Sequence, residues 1–211
     1  MRLLLGLVVA IALGGPSSAL AQAATTPEAR RACASAAFAS AEVAGQAFDA
    51  FRIVVPYASG PVRGVVDDLR RRIQDGSVLA RRAATGYESV IRCGSPTWTL
   101  AALVREGQIY ARLAWAIRDQ AHQFPQYPPQ FGQRIVTAME PQIAPLDCLA
   151  IVRYILAVRA ARAAGMRTEY TTLALDALAG YELTRVTTCA ADQHARDSTF
   201  APFTPGDLRP L

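Results

Sequence analysis

The chain has 211 residues, of which 52% are hydrophobic and 18% are charged, and this length suffices for one sizeable core in one domain. Its formal net charge is +5, and all of its basic residues are arginines. This modest charge permits attraction to acidic partners or anionic polymers, but it does not indicate a nucleic-acid-binding protein.

The first 21 residues have the layout of a secretory signal peptide. Arg2 precedes the apolar stretch Leu3–Leu13, and small residues lead to a cleavage site after Ala21. The stretch is too short for a bilayer, which takes about 20 residues, although an uncleaved anchor is the alternative. We expect a periplasmic or secreted protein that begins at Gln22, with no lipid anchor and no transmembrane segment in the mature chain.

Helical signals occupy the first half of the mature chain. Thr26 suits a helix N-cap, Pro56 ends the first helical pattern, and the letters "CGSP" close the second. The predicted helices cover residues 26–55, 62–92 and 97–122.

Proline-rich segments divide the second half. The letters "FPQYPPQFG" and "EPQIAP" contain too many prolines for a helix interior, and Gly165 is a helix stop signal. The predicted helices here cover residues 130–139, 146–164 and 168–188.

No segment alternates with the period of two that β-strands require, so the fold class is predicted to be all-α. Short connections favour antiparallel helical hairpins, about six helices in all. We assign 1–21 to the signal peptide, 22–190 to the helical domain and 191–211 to an irregular tail, which is either loose or strapped along a groove.

The third predicted helix carries small residues along one stripe. Leu100, Val104, Gly107, Ala111 and Ala114 fall on the same side. Glycine in a helix interior costs about 1 kcal/mol relative to alanine, so Gly107 indicates the close approach of a neighbouring helix.

Five aromatic residues lie at helical packing positions, which favours core or inter-helix contacts over a ligand-binding aromatic cluster. They are Tyr87, Trp98, Tyr110, Trp115 and Tyr154.

Residues 83–110 resemble a tetratricopeptide repeat (TPR) read from its second helix into the next repeat. Tyr87, Pro96, Gly107 and Tyr110 have the small, aromatic and closing-proline character of that unit. A second, weaker match to the repeat pattern follows around Tyr154. An alanine-rich helical bundle could produce this second match by chance, and that alternative stays open.

The resemblance extends to the order of four segments. These are "YESVIRCGSPTWTLAALVREGQIYARLAWAI", "YPP", "EPQIAPL" and "AIVRYILAVRAARAAGMRTEYTTLALDAL". Their order resembles the C-terminal region of TPR proteins of the myxobacterial cell envelope, some of them linked to gliding motility. The resemblance covers about 81–182 and implies a degenerate TPR-like stack with envelope protein partners. The ending "TRVTTCAADQHARDSTF" departs from the family pattern.

Four cysteines in an exported chain permit two disulfides. Antiparallel hairpins would bring Cys148 near Cys189, and Cys33 near Cys93. Four free thiols are the alternative, and the cysteine spacing disfavours zinc.

Candidates for catalysis are few. His122 and His194 lack a recognisable ligand set, although Asp192 and Asp197 lie near His194 in sequence. Two glutamates could serve a hydrolase acting on peptidoglycan, but Glu106 is predicted on a polar face and Glu140 at the start of a loop. No nucleotide-binding motif occurs. We therefore predict a non-enzymatic protein without metal or cofactor.

The second predicted helix carries four arginines at spacings that return to one side of a helix. They are Arg63, Arg70, Arg81 and Arg92. A continuous helix would align them as a ridge that is either a solvated outer face or a docking surface for an acidic partner.

The sequence therefore favours an exported interaction scaffold, and the resemblance implies that it belongs to the bacterial cell envelope and is linked to a motility or secretion machinery. The alternative is a helical bundle that binds a small molecule or an anionic envelope polymer. An envelope hydrolase ranks third.

Overall fold

The structure is a computed structural model that describes residues 26–54, 62–122 and 129–209, and this part is all-α, as predicted. The predicted signal peptide lies outside the described residues. Six α-helices and two short 3₁₀ helices are present: α1 (Pro27–Ala50), α2 (Val62–Arg92), α3 (Pro96–Arg118), η1 (Asp119–His122), α4 (Pro129–Ala163), α5 (Glu169–Ala179), α6 (Leu183–Arg196) and η2 (Pro205–Leu208).

Helix α1 begins as predicted but ends early. The Thr26 hydroxyl accepts a hydrogen bond from the Ala29 N–H at 3.2 Å, and Pro27 occupies the first turn. The helix ends at Ala50, whereas the sequence predicted helix up to residue 55. Ile53 is buried in the extended segment that follows, so tertiary burial and the β-branched residues before Pro56 outweigh the helical pattern.

Helices α1 and α2 form an antiparallel hairpin. The disulfide Cys33–Cys93 joins the start of α1 to the end of α2. The Tyr87 hydroxyl of α2 also donates to Glu42 Oε1 of α1 at 2.5 Å. The α2 helix runs without a break from Val62 to Arg92, which is the extent predicted.

Helix α3 lies at the centre and packs against α1, α2, α4 and α5. Gly107 faces Tyr154 of α4, and a Cβ atom at position 107 would lie 2.5 Å from Tyr154 Cε1. The prediction that Gly107 permits a close helix approach is confirmed. The aromatic packing prediction holds for Tyr87, Tyr110 and Tyr154, which are buried, and for Trp98, which packs against Phe38. It is wrong for Trp115, which is 63% exposed.

Helix α4 is longer than the helices predicted for this region. The prediction of two helices separated by "EPQIAP" is wrong, because one helix runs from Pro129 to Ala163 with Pro141 and Pro145 inside it. Both prolines are exposed. Buried side chains continue past them at a four-residue spacing, at Ile135, Met139, Ile143, Asp147 and Ile151. Burial of this stripe outweighs the two helical hydrogen bonds that the prolines cannot donate.

After Gly165 the sequence prediction is wrong in the opposite sense, because it joins two helices into one. The sequence predicted one helix over 168–188, but the structure has α5 and α6 with a turn between them. Thr168 caps α5 through a capping box with Thr171, and Gly180 is the C-cap.

The C-terminal tail is packed on the helices. Helix α6 extends to Arg196, so the predicted domain boundary at 190 falls inside a helix. Phe200 is buried beneath the Arg159 guanidinium, which also binds both carboxylate oxygens of Asp207 at 3.2 and 2.9 Å. The sequence left two alternatives for the tail, either loose or strapped along a groove. The described part of the tail packs against the helices and is therefore not loose.

Both predicted cysteine pairs are joined. The Cα atoms are 5.8 Å apart in Cys33–Cys93 and 4.9 Å apart in Cys148–Cys189. The second pair does not close a hairpin of neighbouring helices, since Cys148 lies in the middle of α4 and Cys189 in α6. The pairing was therefore predicted correctly, but the reason given for Cys148 and Cys189 was wrong.

Candidate functional site

A large groove opens beside α4 and α6. It has a volume of about 1080 Å³, and the turn before α6 closes one part of its wall. We call it the α4–α6 groove. Its lining includes Arg118, Pro141, Pro145, Cys148, Leu149, Val152, Tyr181, Glu182, Arg185, Thr188, Cys189, Asp192 and Arg196.

A buried carboxylate holds two of the groove's arginines. Asp147 is 1% exposed, and its Oδ1 accepts from Arg118 Nη1 at 3.1 Å while Oδ2 contacts Arg118 Nη2. Oδ2 also accepts from Arg185 Nη1 at 2.6 Å, and Arg185 Nη2 donates to Glu140 Oε1 at 2.6 Å. These charge-assisted bonds fix both guanidinium groups before any ligand arrives.

The protonation states follow from this arrangement. The hydrogen bond to Asp147 raises the pKa of Arg118. Burial, with a smaller contribution from the charge of Asp147, raises the pKa of Tyr181 to about 12. At neutral pH Arg118 is therefore cationic and Tyr181 is a neutral phenol.

The groove walls include apolar surface and two helix prolines. Leu149 is 40% exposed and supplies apolar surface to the groove. Pro145 has no N–H, so the carbonyl oxygen of Pro141 lacks its usual donor four residues along the helix. The disulfide between Cys148 and Cys189 ties the two walls together. The groove thus offers arginine donors held in place and apolar contact area.

Glu106 is placed differently from the sequence prediction. It is fully buried instead of lying on a polar face, and Arg153 of α4 is in direct contact with it. Burial raises its pKa to about 7, against the opposing charge of Arg153. Glu140, predicted at the start of a loop, lies inside α4 and binds Arg185. The sequence could not reveal these partners, because they come from other helices.

The candidate metal ligands do not converge in the structure. Within 26–54, 62–122 and 129–209, no group of three His, Cys, Asp or Glu side chains could hold a metal ion. His194 Nδ1 lies 2.7 Å from the Phe200 carbonyl oxygen, and Asp197 accepts from Thr199. The side chain of His122 lies outside the described part.

The arginines of the predicted ridge lie on one continuous helix, as the ridge requires. Arg70, Arg81 and Arg92 are exposed, while the side chain of Arg63 lies outside the description. Arg70 pairs with Asp67 in its own helix, and Arg92 donates to Ser89. Their role in binding a partner stays a prediction.

The groove residues Arg118, Asp147 and Arg185 were missed by the sequence analysis. One signal was present: the buried stripe of α4 is apolar at Ile143 and Ile151 but acidic at Asp147 between them. A carboxylate on such a stripe requires a cationic partner from another element.

In comparisons with known proteins, no family model, curated protein or solved structure matches the chain. Among the described helices, none combines the length and the apolar character needed to cross a membrane. Two disulfides fit an oxidising compartment.

Proposed function

We propose that this protein is a non-enzymatic interaction module, exported to the bacterial cell envelope, that holds an extended segment of a partner protein in the α4–α6 groove. The observation that carries this proposal is the groove itself, with Arg118 and Arg185 fixed on a buried Asp147 beside exposed Leu149. Fixed donors and apolar walls suit a peptide backbone and its side chains.

The envelope assignment is supported by two features. The N-terminal pattern is that of a signal peptide, and the two disulfides require oxidising conditions to form. Sequencing the N-terminus of protein from the native host should give Gln22. An intact Met1 on cytoplasmic protein would exclude export.

The groove is tested by site-specific photo-crosslinking in the native host. A photoreactive residue at Leu149 should give one discrete product, whereas the same residue at Leu173 should give none. Leu173 is a matched control because it lies on α5 outside the groove and is 43% exposed, against 40% for Leu149. Equal products from both positions would refute a groove-bound partner.

A pair of neighbouring threonines provides the second control. Thr188 and Thr187 are both exposed on α6, but only Thr188 lines the groove. Thr188→Arg should abolish the product formed at position 149, because its long side chain enters the groove. Thr187→Arg should leave it unchanged.

A further inference from the structure

The two disulfides differ in how far solvent reaches them. In Cys148–Cys189, Cys148 is half-buried and Cys189 is 2% exposed. In Cys33–Cys93, Cys93 is half-buried but Cys33 is exposed on α1. Thiolates open disulfides by direct attack on a sulfur atom, so access decides which bond reacts. Exposure therefore makes Cys33–Cys93 the bond that a thiol in solution reaches more easily.

Access also distinguishes the two sulfur atoms of this bond. Cys93 lies in the turn directly after α2 and packs against a buried cluster to which α1, α2 and α3 contribute. Cys33 lies on the solvent side of α1. A thiolate bonds to one sulfur and expels the other, so the direction of attack follows from the sulfur it can reach. We therefore expect attack on Cys33 Sγ, with Cys93 Sγ as the leaving group.

Two exposed arginines flank the bond. Arg30 lies three residues before Cys33, which places both on the same side of α1. The Arg30 side chain also reaches the other cysteine, because its Cδ would lie 3.7 Å from a Cβ on Gly94, the residue after Cys93. Arg92 precedes Cys93 and donates to the neutral hydroxyl of a serine. Cationic groups attract an anionic reactant and stabilise a released thiolate.

The acidic residues nearest in sequence do not offset these charges. Glu28 lies five residues before Cys33, about 140° around α1 from it. Glu88 lies five residues before Cys93, but its Oε1 is 3.8 Å from Arg153 Nη2 of α4. The surroundings of the bond are therefore cationic, and they favour an incoming thiol that carries negative charge.

We propose that the Cys33–Cys93 bond is a site of thiol–disulfide exchange that takes a small anionic thiol at Cys33. The thiolate sulfur bonds to Cys33 Sγ, the bond between the two cysteines breaks, and Cys93 Sγ leaves with the electron pair and takes a proton from water. The incoming thiol is oxidised to a mixed disulfide and Cys93 is reduced to a thiol. The start of α1 is then no longer tied to the end of α2. The site is independent of the α4–α6 groove and of the function proposed for it.

Mass spectrometry tests which bond and which sulfur react. The oxidised protein is exposed briefly to mercaptoethanesulfonate, an anionic thiol, and quenched with N-ethylmaleimide. The thiol should appear on the Cys33 peptide and the maleimide on Cys93. The peptides of Cys148 and Cys189 should stay linked, with an opening rate at least about fivefold lower. Attachment to the Cys93 peptide, a smaller difference between the two bonds, or no reaction at either bond would overturn the proposal.

Cysteamine, a cationic thiol of similar size, tests the role of charge. The rate of each thiol is divided by its rate with an uncharged model disulfide, which removes the difference in intrinsic reactivity. Mercaptoethanesulfonate should then be favoured about threefold or more at low salt. The preference should vanish near 1 M salt, where the Debye length is about 3 Å. Equal corrected rates at low salt would refute the assigned selectivity.

A matched pair of variants separates local charge from net charge. Arg30→Gln should reduce the preference for the anionic thiol. Arg71→Gln changes the net charge equally, but Arg71 is an exposed residue about 30 Å from Arg92 along α2, so the preference should stay. An equal loss in both variants, or no loss in Arg30→Gln, would contradict the placement of the anionic thiol beside Arg30.

Discussion

Gly107 shows how one residue sets a distance between helices. The Tyr154 ring occupies the space in which any larger side chain at position 107 would lie. Intrinsic propensity alone would make alanine the better residue here by about 1 kcal/mol. The two effects have opposite signs, so a single substitution tells which is larger.

We expect Gly107→Ala to destabilise the protein by roughly 1–3 kcal/mol, because the new methyl group overpacks against Tyr154. Urea unfolding followed by circular dichroism measures this. Gly180→Ala is the matched control, since a Cβ there would make only an ordinary contact at 3.4 Å. A more stable Gly107→Ala variant would show that α3 and α4 separate at little cost.

Glu106 makes folding stability depend on pH. Its pKa is about 7 in the folded protein, compared with an ordinary value of 4.5, chiefly because of burial. Arg153 of α4 opposes this shift, while Glu88 of α2 adds to it. The folded state therefore binds the proton more tightly than the unfolded chain. The stabilisation from this group is complete below about pH 4.5 and is lost as pH rises through about 7.

Replacing Glu106 by glutamine should remove that pH dependence. Between about pH 5 and pH 7, the wild-type unfolding free energy should fall, relative to Glu106→Gln, by up to about 1.4 kcal/mol for each pH unit. Glu169→Gln, at an exposed position in the first turn of α5, is the control. Parallel pH profiles for wild type and Glu106→Gln would show that the carboxyl titrates normally.

At the scale of elements, the predicted number of helices is right only because two errors cancel. The sequence divided α4 in two at its prolines, and it merged α5 with α6 across Gly180. Proline and glycine are local signals, and their outcome depends on what the helix buries. In α4, buried Met139, Ile143 and Asp147 continue past the prolines, and no local rule predicts that continuity.

The prolines of α4 give a direct test of this account. Pro145 is exposed and removes one hydrogen bond from the helix interior, so Pro145→Ala should stabilise the protein by about 1–3 kcal/mol. The guanidinium chloride midpoint measures the gain. Pro27→Ala should give none, because proline at the first helical position loses no helical hydrogen bond. A destabilised Pro145→Ala variant would mean that the packing of α4 requires proline there.

At the scale of the whole molecule, α3 is shared by two buried clusters. One cluster joins α1, α2 and the first half of α4, and the other joins the second half of α4 with α5, α6 and Phe200 of the tail. Polar contacts also connect α1 to α3, where Glu42 binds Arg105 and Asp49 binds Arg112. Burial alone would raise the pKa of Glu42, but hydrogen bonds from Tyr87 and Arg105 hold it below its ordinary value.

Such cross-links between distant residues are the part of the architecture that sequence patterns reveal least. Glu42 and Arg105 lie on different helices, and nothing in the letters around either one identifies the other. The cysteines are the exception, because their chemistry limits the partners to each other. That constraint allowed the pairs Cys33–Cys93 and Cys148–Cys189 to be predicted even though the location of Cys148 in α4 was not.

Each half of the molecule has its own disulfide, so we expect the two bonds to stabilise the protein separately. Loops of 60 and 41 residues are closed by Cys33–Cys93 and Cys148–Cys189. The chain-entropy model gives about 4 kcal/mol for each. Paired Cys→Ser variants of either bridge should lower the unfolding free energy by similar amounts, measured in urea.

The two losses should also add in the fourfold variant, because Cys93 packs against the first cluster, whereas Cys148 and Cys189 pack in the second. Proteolysis under non-reducing conditions, followed by mass spectrometry, should recover the peptides that contain Cys33 and Cys93 as one linked species. Peptides containing Cys148 and Cys189 should form the other. Four alkylatable thiols, or a peptide linking Cys93 to Cys148, would contradict the pairing. A fourfold variant that loses much less than the sum would contradict separate stabilisation by the two bridges.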